Sequence, residues 1–481
     1  MNTQSELDRI VSDWLEDRVG DPPHGSLQSA LARAHQTPQQ HSRWLRWWGG
    51  ASSDRRERTM ISVTAVAASV VAVVLTAALV IPRGSTDVAP PALPGSTYSV
   101  AVEGGDFRTI GEAVAAAQDG DTVLVEPGTY HEALVIEKDI TIEGTGSGPR
   151  QTVIAVPPGA PETLEDVLPL HESVAGFEAP ARPSVGLQLL DSEAVLRNLQ
   201  VVGQDDGVAV IVRGGAPTFE DIVVRHAGER DANRVLAGSV FVDGAGAPTI
   251  SGGQIWHRVQ IDDDSTVTFV DALLQYSKVV VQGGSRLAFT GGTVFASDIQ
   301  PVTIVDGASA TISGTEFQRG GVDVVGGERG GTSVAITGSS FASANGYAVR
   351  VTGGASATIT DSAFSRNQNA VAIEGSDAAV RDNEFLDDYT SLSLSDSSSE
   401  LSGNRVQGGV IGIEIEGSGE PLVVGNSLED VRSRGIVIGS GTSPVIEGNS
   451  VCGSVVNLVI DAGAQPTIGE NDICPDGTTA G

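Results

Sequence analysis

A short alternation of apolar and polar residues recurs along the second half of the chain. Each copy is a run such as ITDSAF or VRDNEF that ends on a large apolar residue. These last positions lie 21 to 24 residues apart, at Phe317, Phe341, Phe364, Phe385, Val406, Leu428, Val451 and Ile473. Alternation of this kind indicates β-strands, and a repeat of that length is typical of a solenoid in which each turn pairs with the next.

Weaker copies extend the repeat toward the N-terminus. They begin at Pro217, Pro248, Val267 and Leu287, so the pattern predicts about twelve turns. A leucine-rich repeat has a similar period, but these copies lack its leucine pattern and have no helix between the strands. We therefore predict an all-β domain, a right-handed parallel β-helix, over residues 97–481.

Asparagines mark one predicted corner of this solenoid. Each stands two positions before an aligned apolar residue, at Asn383, Asn404, Asn426, Asn449 and Asn471. Asn tolerates the left-handed backbone of a tight corner, and stacked amides can hydrogen-bond from turn to turn. The five residues are therefore predicted to form a structural ladder rather than a site for chemistry.

A different pattern occupies residues 60–81, where 22 successive residues carry no charge. About 20 apolar residues suffice to cross a bilayer, so this run predicts a transmembrane helix. Five arginines lie within residues 43–58 and only Arg83 follows closely, which by the positive-inside rule predicts a cytoplasmic N-terminus. The chain is thus expected to be a single-pass protein of the cell membrane with its β-helix domain outside the cytoplasm.

The segments on either side of this predicted span differ in composition. Residues 1–59 place apolar residues at helical spacing and are predicted to be a short α-helical cytoplasmic segment, whereas residues 82–96 are a Pro-rich linker. The layout resembles membrane-bound anti-sigma factors, which implies a role as a transmembrane sensor and a cytosolic protein partner for residues 1–59. This segment has no Cys, so a zinc site of the kind found in many such factors is not expected.

Charge limits the partners of the predicted outer domain. The chain has a net charge of −32, and the residues after position 83 carry 20 basic and 53 acidic side chains. Such a surface repels a phosphate backbone, so nucleic acid is not expected to bind. Divalent cations and neutral glycans are compatible with it.

The start of the predicted β-helix resembles a known superfamily. Residues 98–146 include the runs GDF at 105–107 and GTYHE at 128–132, and they are similar to the start of pectin-lyase-like β-helix proteins, among them pectin methylesterases and the group with carbohydrate-binding and sugar-hydrolase repeats. The resemblance implies the same fold and, by analogy, a carbohydrate ligand. The catalytic motifs of pectin methylesterases, polygalacturonases and pectate lyases are absent. We therefore expect a non-catalytic surface that binds a glycan or cell-wall polymer, with a polysaccharide lyase or glycoside hydrolase as the alternative.

One acidic pair is a candidate for catalysis. Asp361 and Asp382 both stand three positions before an aligned Phe, so they should stack about 4.8 Å apart, close to the roughly 5 Å between the carboxylates of a retaining glycosidase. The simpler interpretation is that both are solvated turn residues. His226 and His257 each adjoin an arginine, but without a positioned carboxylate or nucleophile they are predicted to be surface residues.

A second acidic group is a candidate for binding a metal. Asp262, Asp263 and Asp264 follow one another and should lie close to Asp243 in the stack. Several carboxylate oxygens together suit Ca²⁺, although the spacing matches no recognised calcium loop. Calcium is the one cofactor that this sequence suggests.

The two cysteines, Cys452 and Cys474, are 22 residues apart and occupy the same place in successive turns. Stacked positions lie roughly 4.8 Å apart, within the Cα separation of about 4.4 to 6.8 Å that a disulfide allows. A location outside the cytoplasm would preserve the bond. The spacing therefore predicts a disulfide that joins the last turn to the one before it.

Overall fold

The computed structural model describes residues 95–157, 184–204, 207–227, 239–296 and 301–476. The predicted cytoplasmic segment at 1–59, the membrane span at 60–81 and nearly all of the linker at 82–96 lie outside these residues and stay predictions. Within the described ranges, no helix is long and apolar enough to cross a membrane.

These residues form a parallel β-solenoid, which confirms the predicted fold class and repeat. One sheet has sixteen described strands stacked in chain order, so the solenoid makes about fifteen turns and the prediction of about twelve was too low. The four strands outside the predicted repeat are the first four of this sheet. Their spacing is irregular because 19 residues separate the starts of the second and third, and 54 those of the third and fourth.

The first sheet forms one face of the solenoid. With strands numbered in chain order, its members are β1 Thr97–Val100, β2 Thr122–Val125, β5 Thr141–Gly144, β8 Val195–Arg197, β11 Thr218–Glu220, β14 Thr249–Ser251, β16 Thr266–Val270, β18 Arg286–Thr290, β21 Ser309–Ser313, β24 Ser333–Thr337, β27 Ser356–Thr360, β30 Asp377–Arg381, β33 Glu400–Ser402, β36 Leu422–Val424, β39 Val445–Glu447 and β42 Thr467–Ile468.

The remaining strands line two further faces. The second face comprises β3 Gly128–His131, β6 Thr152–Ala155, β9 Gln200–Gly203, β12 Val223–His226, β15 Gln254–Ile261, β17 Leu273–Val281, β19 Thr293–Phe295, β22 Glu316–Gln318, β25 Ser340–Ala342, β28 Ala363–Ser365, β31 Glu384–Leu386, β34 Arg405–Gln407, β37 Ser427–Glu429, β40 Ser450–Cys452 and β43 Asp472–Ile473. The third comprises β4 Leu134–Ile136, β7 Val185–Leu190, β10 Val208–Arg213, β13 Val240–Asp243, β20 Val302–Val305, β23 Val322–Val325, β26 Tyr347–Thr352, β29 Asn369–Glu374, β32 Thr390–Ser395, β35 Ile411–Glu416, β38 Arg434–Ile438 and β41 Val456–Ile460. Strands β15 and β17 continue across the corner and pair on both faces.

The core is a continuous column of inward-facing apolar side chains. Alternation puts the middle residue of each short second-face strand inside, and the phenylalanines at these positions are in register from turn to turn. The rings of Phe317, Phe341, Phe364 and Phe385 stack with centroids 4.5, 5.0 and 4.8 Å apart. The aligned residues of the repeat are thus the core of the solenoid.

The asparagine series forms a buried hydrogen-bonded column. The amide nitrogen of Asn404 donates to the side-chain oxygen of Asn426 at 2.9 Å, and Asn426 donates to Asn449 at 3.0 Å. The same nitrogen of Asn426 also donates to the backbone carbonyl of Leu401. Each amide thereby satisfies backbone and side-chain groups that the corner would otherwise bury unpaired.

The two ends of the solenoid are closed in different ways. At the N-terminal end, helix α1, Ile110–Ala116, covers the first turn and buries Ile110, Ala113 and Val114. At the C-terminal end, Cys452 and Cys474 form the predicted disulfide, with a Cα separation of 4.9 Å. A short 3₁₀ helix, Pro149–Gln151, precedes β6.

Candidate functional site

All three corners of the solenoid contain residues in the left-handed backbone conformation, and two of these corners flank the second face. The first corner joins a strand of the first sheet to the second face, and its left-handed residues are Asn198, Asp221, Gly252, Asp271, Gly291, Gly314, Gly338, Asp361, Asp382, Gly403, Gly425 and Gly448. All of them are Asn, Asp or Gly, the residue types that adopt this conformation at least cost. The first corner therefore follows the steric rule.

The catalytic candidates Asp361 and Asp382 belong to this first corner. Their φ angles are 50° and 55°, and both side chains are exposed. Each lies just before a buried residue whose hydrogen bonds hold the corner together, Ser362 and Asn383. Their identity is explained by backbone geometry, and a catalytic role for them stays an untested prediction.

The second corner, between the second and third faces, breaks the steric rule. Its left-handed residues are His257, Tyr276, Arg319, Ser343, Arg366, Asp387, Gly408, Asp430 and Gly453. Towards the C-terminus they are Asp and Gly, as expected, but nearer the N-terminus they include an imidazole, a phenol and two guanidinium groups. A bulky residue in this conformation costs roughly 1–2 kcal/mol, and such strained positions concentrate at functional sites.

Aromatic side chains contact one another along this corner. The ring centroids of Trp256 and Tyr276 are 6.0 Å apart, and those of Tyr276 and Phe295 are 5.4 Å apart in an edge-to-face arrangement. The guanidinium of Arg319 lies 5.8 Å from the centroid of Phe295. Trp256 is buried, Tyr276 and Phe295 are half-buried, and Arg319 is exposed. We call these four residues the aromatic strip; it runs along the solenoid axis over four successive turns.

Two histidines extend the aromatic strip on its N-terminal side, and the prediction that they are surface residues was wrong. His226 and His257 are only 2% and 8% exposed, and their ring centroids are 5.3 Å apart. The Nδ1 atom of His226 lies 2.6 Å from the backbone oxygen of Gln204. The burial of His257 follows from the local fold, because this residue lies at the bulge where β15 crosses the corner instead of ending there.

Positive charge is concentrated beside the aromatic strip. Arg258 and Lys278 are in register on β15 and β17. Burial lowers the pKa of both groups, and the neighbouring Arg258 lowers the pKa of Lys278 further. The nearby Asp323 is itself desolvated, so burial raises the pKa of its carboxyl group. This part of an otherwise acidic protein therefore combines cationic side chains with the half-buried rings of Tyr276 and Phe295.

The proposed calcium ligands do not converge on one point. The Asp243 carboxylate is paired with Arg213, with a 2.7 Å contact between Nη2 and Oδ2. Asp262 accepts hydrogen bonds from Gln282 and the backbone of Asp263. Among the described residues, no three or more His, Cys, Asp or Glu side chains are arranged to hold a metal ion. Calcium binding stays a prediction.

The aromatic strip is absent from the residues singled out by the sequence, although a signal was present. Aromatic residues make up only 4% of the chain, yet Trp256, Tyr276 and Phe295 follow one another at intervals of 20 and 19 residues. These intervals are slightly shorter than the repeat because β15 and β17 lack the usual break at the corner. Without the strand boundaries, this change of register is not visible.

Three comparisons place the chain among other proteins. No curated protein sequence matches it. Among solved structures, it is similar to ORF18 of Geobacillus virus E2, with 13% identity, 55% of this chain covered and a TM-score of 0.34. The chain spans about half the length of that protein, of which 49% is covered.

Two further solved structures have similar statistics. The catalytic unit of an alpha-1,3-glucanase from Streptomyces thermodiastaticus is 13% identical, with 80% of this chain and 70% of that chain covered and a TM-score of 0.39. Tailspike protein 3 of bacteriophage CBA120 is 12% identical, with 76% and 58% covered and a TM-score of 0.44. A family model described as right handed beta helix region matches residues 320–473. The described residues thus form a parallel β-solenoid, and within it residues 320–473 match the right-handed β-helix model.

Proposed function

We propose that this protein binds a neutral polysaccharide along its second corner, with the aromatic strip as the contact surface. The supporting observation is the difference between the first and second corners. Where geometry alone decides, the chain uses Asn, Asp or Gly, but at the second corner it keeps Tyr276, Arg319 and Arg366 against the steric preference. A side chain retained at such a cost is best explained by what it contacts outside the solenoid.

The chemistry of the aromatic strip suits a sugar ligand. A pyranose ring presents a face of C–H groups, which packs well on an aromatic ring, and its hydroxyl groups accept hydrogen bonds from Arg or Lys. Tyr276 and Phe295 supply half-exposed aromatic surface, and Arg319 supplies donors next to it. Few precisely placed polar groups beside aromatic surface are the usual make-up of a small-molecule or glycan site.

The geometry favours a polymer over a single sugar. The aromatic strip repeats once per turn, at the strand spacing of about 4.8 Å, and is aligned with the solenoid axis. Tyr389, which is 57% exposed, lies at the same corner four turns beyond Phe295. An extended chain that follows the corner can contact several of these side chains together, which adds their small individual energies.

Net charge decides between neutral and acidic polymers. The chain has a net charge of −32, and the few cations beside the aromatic strip do not offset the negative potential of the whole domain. An acidic polysaccharide would be repelled over most of its length. A neutral polymer avoids this repulsion and still uses the donors of Arg319 and Lys278.

The test measures binding of the full chain to soluble neutral polysaccharides, namely a glucan, a mannan and a xylan, and to a polyuronate of matched length. At least one neutral polymer should bind, and Tyr276→Ala or Phe295→Ala should weaken that binding about fivefold, because each removes about 1 kcal/mol of aromatic contact. Asp361→Asn, at the first corner, is the matched control and should bind as the wild type does. Thermal unfolding of each variant checks that it is folded.

Three results would count against this proposal. Binding unchanged by both aromatic substitutions would remove the aromatic strip from the contact surface. Preference for the polyuronate would reverse the charge argument. Cleavage of the polymer by the wild type, lost in Asp361→Asn, would support the hydrolase or lyase alternative instead.

A further inference from the structure

A carboxylic acid is buried in the second corner at a position where the neighbouring turn has an amide. Asp388 is 0% exposed and lies one turn beyond Asn367. Its Oδ1 atom accepts two hydrogen bonds from Asn367, one from the backbone N–H at 2.7 Å and one from the side-chain amide at 2.9 Å. Asn367 in turn accepts from the backbone N–H of Ala344 with its own Oδ1. Asp388 is therefore a member of a second, short ladder.

The other oxygen of this carboxyl group has no donor. Oδ2 of Asp388 is buried without a hydrogen-bond partner among the described residues. One turn earlier, the side-chain nitrogen of Asn367 occupies the corresponding place and donates to the backbone oxygen of Phe341. One turn later, Gly409 offers no side chain to continue the ladder. The place thus suits a group that donates, which a carboxyl group does only while it is protonated.

We propose that Asp388 is a proton-dependent joint of the second corner: its carboxyl group carries a proton in the closed corner, and loss of that proton loosens the turn that presents Leu386 and Tyr389. These two flanking side chains are 47% and 57% exposed. This inference concerns the stability of the corner and does not depend on any ligand.

The charged groups around Asp388 are consistent with this role. Burial is the main cause that raises its pKa to about 7, against the lowering effect of the hydrogen bonds from Asn367 and of a smaller contribution from the backbone N–H of Leu386. The adjacent Asp387 raises the pKa further, but its exposed carboxylate is itself paired with Arg432 at 3.2 Å. The preceding turn contributes the neutral Asn367 and the exposed Arg366, and the following turn contributes Gly408 and Gly409. Among the described residues, no cation acts on the Asp388 carboxyl group to hold it ionised.

The direction of the pH effect follows from the raised pKa. The closed corner holds the proton up to about pH 7, whereas an opened corner releases it near the ordinary value of about 4. Between about pH 4 and 7 the equilibrium constant for opening therefore increases about tenfold for each unit of pH, and above this window it levels off. The free energy of opening is largest at acid pH and falls as the pH rises.

Hydrogen exchange of the full chain, corrected for the intrinsic pH dependence of exchange, tests the proposal. Peptides that contain Asn367 or Tyr389, whose backbone N–H groups bond within this corner, should open about tenfold more per pH unit between pH 5 and 7. Asp388→Asn places a permanent donor there and should abolish the slope. Asp387→Asn is the matched control and should keep it. Peptides around Asn404, where the ladder is made of amides, should show no slope in the wild type.

If opening of the Asn367 and Tyr389 peptides does not depend on pH in the wild type, this result alone overturns the proposal. A slope that persists in Asp388→Asn, or one that disappears in Asp387→Asn, also overturns it. Loss of polysaccharide binding would leave this readout unchanged, so failure of the proposed function and failure of the proton-dependent joint are distinguishable.

Discussion

At some positions of this solenoid the residue type suits the backbone conformation, and at others the chain has a residue type that the conformation disfavours. Asp382 and Arg366 have the same left-handed conformation, with φ angles of 55° for both, and both side chains are exposed. Asp is compatible with that conformation because its short side chain can bond locally, whereas Arg gains nothing from it. This difference distinguishes a structural position from a position whose side chain is retained for a contact outside the solenoid.

This contrast leads to a prediction for glycine substitutions. Arg366→Gly should raise the free energy of unfolding by about 0.5–1 kcal/mol, because relief of the left-handed strain exceeds the added chain entropy of glycine. Asp382→Gly, the control, should change it much less. Chemical denaturation with and without the bound polysaccharide measures both properties.

In Arg366→Gly, the affinity for the polysaccharide should fall while the stability of the fold rises. If the second corner binds the polymer, Arg366→Gly weakens binding while it stabilises the fold, the trade-off expected at a functional position. A destabilised Arg366→Gly protein with unchanged affinity would show that this arginine has a structural role, and the argument from strain would fail.

At the scale of elements, helix α1 depends on side chains from the next turn. The carboxylate of Glu132 accepts from the N–H groups of Ile110 and Gly111 at 2.9 and 2.7 Å. The ammonium of Lys138 donates to the carbonyl oxygens of Val114, Ala115 and Ala117 at 2.7 to 3.0 Å. The charges are complementary to the helix dipole at both ends. Because a helix of seven residues is too short to be stable in isolation, these contacts add to the packing of its buried side chains.

We therefore expect Lys138→Met to loosen the N-terminal cap. It keeps the apolar stem but removes three charge-assisted hydrogen bonds, and it should lower the free energy of unfolding by about 1.5–3 kcal/mol. Hydrogen exchange should quicken in residues 110–131 and stay unchanged near Phe364. Lys278→Met, which replaces the other lysine of the chain, is the matched control. If both variants behave alike, the carbonyl contacts of Lys138 do not hold the helix.

The strands show where sequence reasoning succeeds and where it stops. The aligned positions from Phe317 onward could be predicted because every turn there contributes one large apolar residue to one column, so packing imposes the period. The first four strands were missed because their spacing ranges from 19 to 54 residues, and only pairing reveals that they share a sheet. The disulfide was predictable because stacking alone brings Cys452 and Cys474 together.

The aromatic strip could not be predicted, for a physical reason. Which side chain of a strand faces outward depends on the register, and β15 changes register at His257 within one continuous strand. The sequence contains no Gly or Pro at that point that would indicate the change of register. The sequence points to acidic residues instead, because stacked carboxylates suggest chemistry, although turn geometry accounts for Asp361 and Asp382.

At the scale of the whole molecule, the solenoid is a row of turns that contact only their neighbours, so its stability depends on its ends. The N-terminal end is covered by α1. The C-terminal end has strands of only two residues, β42 and β43, and it leaves Ile460 and Ile468 46% and 44% exposed. Short edge strands limit pairing with other chains, but they also provide few hydrogen bonds to hold the last turn. Unfolding is therefore expected to begin at the C-terminal end.

The disulfide opposes this fraying, which yields the final prediction. Cys452 ends β40, and the backbone N–H of Cys474 donates to Val451 at 3.0 Å, so the bond fixes the last turn to the one before it. Closing a loop of 22 residues is worth about 3 kcal/mol in the unfolded chain. The double variant Cys452→Ser and Cys474→Ser should accelerate hydrogen exchange at least tenfold in residues 456–473 and leave residues 110–136 unchanged. Adding reductant to the wild type should reproduce this pattern, and adding it to the double variant should have no effect. Faster exchange spread evenly over the whole solenoid would mean that the turns unfold as one unit and that the ends do not control stability.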